Sequence, residues 1–427
     1  YRTTDFGHSW TRIDAGIPVD EPTFVIREDT RDPKLLFAGT QRGIYASFDG
    51  GAHWQSLALN LPAVQVSDIA IQDRADDLVI ATHGRAFWVL DDLSVLRQLD
   101  DEGRQGSTRL FTPDQAYLLP GFDFEGHAAD QGENPPDGAA IFYNLASAPA
   151  KDAEITLSIL SADGKQIRRF SSKPGSTVKP AADSGDFYGK PKAAPELLPI
   201  KAGMNRFVWD LRYPDATKVP GAVLWFGSMR GPKVPPGTYT LTLDVAGQNY
   251  SQPLTVLNDP RSKLSADDLA ARQELLMQIY GELDKTDNAI NSLRNLRTQI
   301  NDLTRRYAKS SQEGALNEDT RSLLDELTAI EDALIQSKAK ASEDVLNYPI
   351  RLNNKLAALF TSVEFSNSKP TQQDYAVFKQ LAAQTDTQLA RWQSVRTSGL
   401  PALNARITAL KLPAIYLPAP PADAAVH

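Results

Sequence analysis

Two aspartates near the start of the chain stand in the same surroundings. Asp5 and Asp49, 49 − 5 = 44 residues apart, each lie in the pattern Ser/Thr-x-Asp-x-Gly-x-x-Trp. A carboxylate in this pattern has two chemical uses: it can transfer a proton, or it can accept hydrogen bonds from nearby backbone N–H groups. The second use explains the spacing, because the glycine permits a positive φ and the tryptophan supplies an apolar face beneath the turn. We therefore expect both aspartates to close tight turns.

The interval between the two patterns corresponds to one blade of a β-propeller, for which repeats run roughly 40–50 residues. Strand-like runs separated by Asp-Pro, Arg-Gly and Asp-Gly-Gly turns fall into two sets. The first set is 24–28, 35–39, 43–48 and 54–57, and the second is 66–72, 77–82 and 86–90. The pattern is incomplete at Asp91, because no glycine follows two residues later and Leu96 occupies the position of the tryptophan. We predict two blade-like repeats, of which the second is terminal.

The two ends of each repeat have different roles. If the aspartate pattern forms the turn between strands three and four, the turn between strands two and three lies at the opposite end. Those turns, 40–43 and 82–85, carry Arg42, His83 and Arg85. Such side chains can donate hydrogen bonds to a carboxylate, a sugar or a peptide. We predict a ligand-binding surface at these three residues, and the alternative is that they are ordinary solvated turn residues.

The two patterns, with the stretches 39–45 and 81–92, resemble the last blades of bacterial sortilin-like, BNR-type (Asp-box) proteins named as glycosyl hydrolases. The resemblance implies structural roles for the box residues Asp5, Gly7, Trp10, Asp49, Gly51 and Trp54. It also implies that ligands bind at the face opposite the boxes. Sialidases of this architecture use an arginine triad, a Tyr–Glu pair and an aspartate from many blades. Residues 1–107 contain no such set, so no catalytic residue is assigned.

The rest of the chain indicates two further units. Short strand-like runs through 108–262 predict an immunoglobulin- or fibronectin-like β-sandwich with long insertions. Apolar residues at three- and four-residue intervals through 263–412 predict an antiparallel helical bundle, with capping boxes at Ser265 and Thr371 and a break at Pro401. Residues 413–427 are predicted to be a loose Pro/Ala-rich tail. The fold class is therefore multidomain, mainly β then α, beginning with the last blades of an incomplete propeller in 1–107.

Two insertions interrupt the predicted sandwich, at 173–199 and 212–236, and the first, rich in Pro, Gly, Ala, Lys and Ser, is predicted to be a long exposed loop. Two segments could bear on function. The first is an acidic loop with alternating oxygen ligands, which could hold Ca²⁺, although its spacing matches no EF-hand and favours a solvated loop. Its residues are Asp123, Glu125, His127, Asp130 and Glu133. The second insertion, 212–236, contains Tyr213, Trp225 and Phe226. We expect these aromatic side chains to fill the joint between domains, and stacking on sugar rings is the alternative.

Composition narrows the classes of function. The 427 residues include 45 basic and 53 acidic side chains, for a net charge of −8 with no long run of either sign. That balance argues against a nucleic-acid partner and a polybasic membrane anchor. No apolar stretch approaches the ~20 residues of a transmembrane helix. The chain has no cysteine, which rules out disulfides and thiolate metal sites. We predict no metal and no cofactor.

The sequence opens inside a repeat and shows no export signal, so we expect a C-terminal part of a longer periplasmic or extracellular protein. Three functions remain open for it. The favoured one is recognition of a glycan or a peptide by the propeller. The enzyme alternative is a glycoside hydrolase of the sialidase or xyloglucanase kind, with its catalytic carboxylates mostly in preceding blades. The third is a non-catalytic scaffold that self-associates through the helical bundle.

Overall fold

The structure, a computed structural model, describes residues 1–99, 106–119, 132, 134–174 and 197–418. Within these ranges, β-sheets occupy the first part of the chain and long helices the last part, so the predicted order of β then α is confirmed. The acidic loop at 123–133 lies outside the described residues, apart from Gly132. Most of the 173–199 insertion and residues 419–427 lie outside them as well.

Two antiparallel sheets form the start of the chain. The first has the strand order β1-β2-β3-β4 and the second the order β5-β6-β7. Their strands are β1 Thr23–Glu28, β2 Leu36–Thr40, β3 Ile44–Ser47, β4 Gln55–Ser56, β5 Val66–Gln72, β6 Asp77–Thr82 and β7 Phe87–Leu90. A short helix, α1 (Ser94–Arg97), follows β7. The second sheet has no fourth strand among the described residues.

The two sheets pack through alternating side chains. Phe37 and Ile44 of the first sheet share one buried core with Ile69 and Ile80 of the second. Gly39 permits this close approach, since a Cβ there would lie 2.6 Å from a methyl of Val25 and 2.8 Å from a methyl of Val66. All five residues of β2 are buried, because the opposite side of this strand is covered as well. There Leu36 and Ala38 contact Ile17 and Trp54.

A second pair of sheets follows and encloses its own apolar core. One sheet has the order β13-β10-β8, and the other has the order β12-β11-β14-β15-β9. The strands are β8 Arg109–Leu110, β9 Ala116–Leu118, β10 Ala139–Leu145, β11 Ile155–Leu160, β12 Gln166–Ser171, β13 Gly203–Trp209, β14 Gly237–Val245 and β15 Gln248–Asn258. All pairings are antiparallel except that of β9 with β15. The completely buried Trp209 and Tyr143 keep their polar atoms bonded, to the backbone oxygens of Arg212 and Pro199.

Helices make up the last part of the described chain and share a third apolar core. They are α2 Ala266–Arg306, α3 Glu313–Leu334, α4 Leu352–Phe365, α5 Gln372–Ser394 and α6 Leu400–Ala409. The predicted capping boxes at Ser265 and Thr371 start α2 and α5. The predicted apolar stripe of α2 is buried. Thr286, a polar residue that interrupts this stripe between Leu283 and Ile290, is buried as well. No helix among the described residues is both long and apolar enough to cross a membrane.

The predicted break at Pro401 is wrong. The chain stays helical from α5 into α6 through one π-helical turn, Val395–Gly399. Proline lacks an N–H and its ring clashes with the carbonyl four residues back in a regular α-helix. The wider π turn, in which Leu400 N–H bonds the oxygen of Val395, accommodates this at the start of α6. One continuous helical segment therefore replaces the two separated helices that we expected.

The 212–236 segment joins the second pair of sheets to the helices. Arg212 and Glu364 form a nearly buried ion pair of 2.6 Å across this joint. Ala216 and Val219 are part of the helical core. Phe226 departs from the expected joint-filling role, since 52% of its surface is exposed. Tyr213, in contrast, is partly buried against the core of the second pair of sheets, so one aromatic residue of the segment fills the joint as expected and Phe226 does not.

Candidate functional site

The first box forms a closed set of hydrogen bonds. One carboxylate oxygen of Asp5 accepts from the backbone N–H of Ser9 at 2.9 Å, and the other accepts from the Ser9 hydroxyl at 2.6 Å. Thr3 donates its hydroxyl to Asp5 at 2.8 Å and accepts from Gly7 N–H at 2.8 Å. Gly7 has a φ of +91°, which the turn requires. Trp10 donates its indole N–H back to Gly7 O at 3.2 Å.

The second box repeats these bonds. Asp49 accepts from His53 N–H at 2.9 Å, and its other oxygen lies 2.7 Å from His53 Nδ1. Ser47 donates to Asp49 and accepts from Gly51 N–H, each at 2.8 Å, and Gly51 has a φ of +96°. Trp54 departs from the first box, because its indole N–H bonds Ile13 O at 2.7 Å. That bond ties the second box to the segment before the first sheet.

These hydrogen bonds keep the two box aspartates ionised. Bonds from Ser9 and Thr3 lower the pKa of Asp5 to about 2. Partial burial of Asp49 opposes the same effect, yet the bonds from His53 and Ser47 lower the pKa of that carboxyl to about 2. A general acid must hold a proton near the working pH, and these two carboxyls do not. The geometry suits Asp5 and Asp49 to holding turns.

A helix replaces the box in the second sheet. Asp91, at the position equivalent to Asp49, is exposed and makes no hydrogen bond within the described residues. Asp92 instead accepts from the Ser94 N–H at 3.0 Å and so starts α1. Arg97, at the end of α1, is nearly buried and bonds Asp29. The second repeat thus ends in a helix that is tied back to the first sheet.

The turns at the other end of the two sheets are built alike. Thr40 N–H bonds Gly43 O at 2.9 Å, and Thr82 N–H bonds Ala86 O at 3.1 Å. In both cases the threonine hydroxyl bonds the same oxygen. The residue after each threonine also donates its N–H to the segment before the sheet, at 3.0 Å for Gln41 and 2.9 Å for His83. The two turns therefore share the role of their threonine, although the bonded oxygen lies three residues after Thr40 and four residues after Thr82.

Arg42 lies beside a buried carboxylate. Glu21, which is 6% exposed, accepts from Thr40 Oγ1 at 2.5 Å, Arg42 N–H at 3.1 Å and Tyr45 Oη at 3.0 Å. The Arg42 guanidinium extends to an exposed ion pair with Asp20 at 3.2 Å. Glu21 gave no signal in the sequence, because its partners follow it by 19 to 24 residues and no repeat marks it. Arg42 is therefore a partly engaged cation on a rigid turn.

The hydrogen bond from Tyr45 to Glu21 keeps the phenol protonated. Burial, and then the hydrogen bond to Glu21, raise the pKa of the Tyr45 phenol. An adjacent carboxylate can act as the base for a phenol, but here Glu21 also accepts from the Thr40 hydroxyl and the Arg42 N–H. Glu21 is thus bonded by three donors from the turn and from β3. This cluster supports the shape of the turn.

His83 and Arg85 present their side chains to solvent. Both residues are exposed, and only their backbone atoms form hydrogen bonds among the described residues. Arg85 O accepts from the Trp88 indole at 2.9 Å, so the turn is held while its guanidinium remains available. No hydrogen bond or ion pair within the described chain links Arg42 to His83 or Arg85. The three predicted residues lie on equivalent turns and do not form a single contact cluster.

The described residues contain no group of three or more His, Asp or Glu side chains placed to hold a metal ion. What the turn end of the sheets offers is an imidazole and two guanidinium groups on rigid backbone turns. Such donors suit recognition of carboxylate, hydroxyl or carbonyl oxygens. They supply no proton-transfer pair of the kind that a hydrolase requires.

Comparison with known proteins adds little to this geometry. No protein-family model and no curated protein matches the chain. Among solved structures, the chain is similar to the extracellular domain of the one-component system BT4673 from B. thetaiotaomicron, at 6% identity and a TM-score of 0.14. The match covers 56% of this chain and 25% of that one, so this chain spans about a quarter of that protein's length. A likeness of this size carries no argument about fold or function.

Proposed function

We propose that residues 1–107 are part of an Asp-box β-propeller of the sortilin-like, BNR kind, and that its sheet ends at 40–43 and 82–85 recognise a glycan or a peptide. The repetition of one hydrogen-bond pattern at Asp5 and Asp49 carries this proposal. In the same proposal, residues 108–262 are an immunoglobulin-like sandwich, 263–412 an antiparallel bundle, and the protein is periplasmic or extracellular.

An uncovered sheet face supports the propeller. One face of β5-β6-β7 packs on the first sheet, whereas Phe87 and Val89 on its other face are 74% and 56% exposed. Apolar side chains on a sheet are normally covered, and exposed ones mark a contact surface. Because the covered face already packs against a sheet of the same kind, we assign the uncovered face to a further blade of the same protein.

The chemistry of the turn end supports recognition rather than hydrolysis. Arg42, His83 and Arg85 are donors on turns whose backbones are fixed by hydrogen bonds, so ligand binding would order their side chains and not the backbone. Arg85 and His83 reach solvent without an intramolecular partner among the described residues. Glu21, the buried carboxylate nearest to Arg42 in these contacts, is bonded by three donors.

A binding screen with a release assay separates the candidate functions. The full chain is applied to a glycan array and a peptide array, and each retained ligand is then incubated with the chain and assayed for released sugar. The proposal expects retention of a defined glycan or peptide class with no sugar released. Sugar release would favour the hydrolase instead. A chain that binds neither array but self-associates would favour the scaffold.

A further inference from the structure

An open cleft lies in the helical part, among α3, α4 and α5. Its volume is about 320 Å³, at the lower end of the range of small-molecule sites. One wall is formed by the chain entering α4, at Ile350, Arg351 and Lys355, and the opposite wall by Gln384, Thr387 and Gln388 of α5. None of these residues takes part in the function proposed for the sheets. The cleft is therefore an independent candidate site.

The α4 wall carries two cations side by side. Arg351 is the N-cap residue of α4, with an extended backbone, and Lys355 lies in the first turn of the helix; both line the cleft. Both are exposed, and neither forms a hydrogen bond or ion pair through its side chain within the described chain. Two cations that line the same cleft repel each other. An anion between them would offset that repulsion.

The opposite wall is pre-organised to donate. Arg391 is held by Glu326 through two bonds of 2.9 Å each. The same arginine donates to the side-chain oxygen of Gln388 at 2.8 Å. The oxygen of Gln388 is thereby occupied, and its NH₂ group is the end left to donate. On the α4 side, Gln336 donates to Pro349 O at 3.0 Å and fixes the chain just before Ile350.

We propose that this cleft binds the phosphoryl group of a small phosphate ester. The three terminal oxygens of a phosphoryl group point in different directions, so they can accept from Arg351 and Lys355 on one wall and from the amides of the other. A planar carboxylate has two oxygens in one plane and cannot meet both walls as fully. Arginine with lysine is a common pairing for phosphate recognition. The remaining volume accommodates the small organic group that carries the phosphate.

Calorimetric titration of the full chain with phenyl phosphate tests this assignment, with benzoate as the carboxylate probe. The double variant Arg351→Gln/Lys355→Gln removes both cations, and Gln388→Ala removes the oriented amide. A matched control, Arg321→Gln/Lys379→Gln, removes the same charge from exposed positions on α3 and α5 outside the cleft. Thermal melting of every variant checks that each remains folded.

We expect the wild-type chain to bind phenyl phosphate more tightly than benzoate. The cleft double variant should weaken phenyl phosphate binding by about tenfold or more, and added salt should weaken wild-type binding. The control should stay within about twofold of the wild type, because neither Arg321 nor Lys379 lines the cleft. The assignment is overturned if phenyl phosphate does not bind, if the folded cleft variant binds it as well as the control, or if benzoate binds more tightly.

Discussion

Arg97 and Asp29 form a two-point ion pair between parts of the chain that lie 68 residues apart. Arg97 Nε lies 2.8 Å from one Asp29 oxygen, and Nη2 lies 2.7 Å from the other. Arg97 also bonds Asp76, in the loop between β5 and β6. One nearly buried arginine therefore ties the corresponding loops of the first two sheets together and fixes how those sheets pack.

Removing this arginine should loosen both sheets. Arg97→Ala leaves the carboxylates of Asp29 and Asp76 buried without their main cation, which typically costs about 3–5 kcal/mol. We expect faster hydrogen–deuterium exchange of the amides in β2 and β6, measured on the full chain. Arg27→Ala is the control, because its ion pair with Asp68 is exposed and contributes at most about 1 kcal/mol. If Arg97→Ala and Arg27→Ala increase the exchange equally, the ion pairs of Arg97 with Asp29 and Asp76 do not hold the two sheets together.

The box aspartates should matter for stability and not for binding. Asp49→Asn removes one acceptor from the turn at 47–53 and should cost roughly 1 kcal/mol, since the carboxylate is partly exposed. Asp91→Asn, at the equivalent but unbonded position, should cost nothing measurable. Because the folded pKa of Asp49 is lowered to about 2, its contribution is complete above its usual pKa and lost as the pH falls towards 2. Urea unfolding of both variants is measured at pH 7 and at pH 3. If the difference between their free energies of unfolding is smaller at pH 7 than at pH 3, Asp49 does not stabilise the turn through its carboxylate.

Asn354 should be needed to hold the 212–236 segment on the helices. Its side chain accepts from Trp225 N–H at 2.8 Å and donates to Trp225 O at 2.7 Å, as a strand neighbour would. Asn354→Ala removes both of these bonds and should lower the free energy of unfolding by about 2 kcal/mol. Asn317→Ala, at an exposed position on α3, should change it by less than about 0.5 kcal/mol. Thermal melting compares them, and equal melting temperatures would refute the role of Asn354.

Asp287 should make the helical part less stable as the pH rises. Its side chain is 1% exposed, one of its oxygens has no partner in the described residues, and burial raises its pKa to about 8. Asn353 and Arg294 favour the charged form, whereas Asp284 disfavours it. An acid with a raised folded pKa destabilises the fold progressively from its unfolded pKa up to its folded one, by at most about 1.4 kcal/mol per pH unit.

Asp287→Asn removes this titration. The variant should be more stable than the wild type at pH 8 and should lose that advantage as the pH falls towards 4. Denaturant unfolding followed across this range gives the difference directly. Asp267→Asn, an exposed change near the start of the same helix, should leave the wild-type profile unchanged. If the free energy of unfolding of the wild type changes with pH in parallel with that of Asp287→Asn, the pKa of Asp287 is not raised in the folded protein.

Patterns of closely spaced residues predicted the turns and the helix caps. The spacing of Asp, Gly and Trp predicts turns, and the bonds at Asp5 and Asp49 lie within four residues of each aspartate. The caps at Ser265 and Thr371 depend on residues three positions away. Such contacts can be read from a sequence because the chain brings the partners together without help from the rest of the fold.

Contacts between distant residues could not be foretold in the same way. Glu21 meets Tyr45 only because the first sheet folds, and Arg97 meets Asp29 only because two sheets pack. The π turn before Pro401 depends on packing that holds the segment helical despite the proline. The sequence pointed to the turns with Arg42 and Arg85, but not to the carboxylate cluster beneath the first turn.

Dissociation constants of single alanine variants decide whether ligands bind at the turns that carry Arg42, His83 and Arg85. For a glycan or peptide retained by the full chain, the dissociation constants of Arg42→Ala, Arg85→Ala and His83→Ala are compared with that of Arg74→Ala. Arg74 is an exposed arginine in the β5–β6 loop, at the opposite end of the second sheet. We predict that Arg85→Ala weakens binding by about tenfold, with smaller losses for the other two, while Arg74→Ala binds like the wild type. If Arg74→Ala weakens binding and the three turn variants do not, the ligand binds at the end of the sheets that carries the Asp-box turns. That result would contradict binding at 40–43 and 82–85.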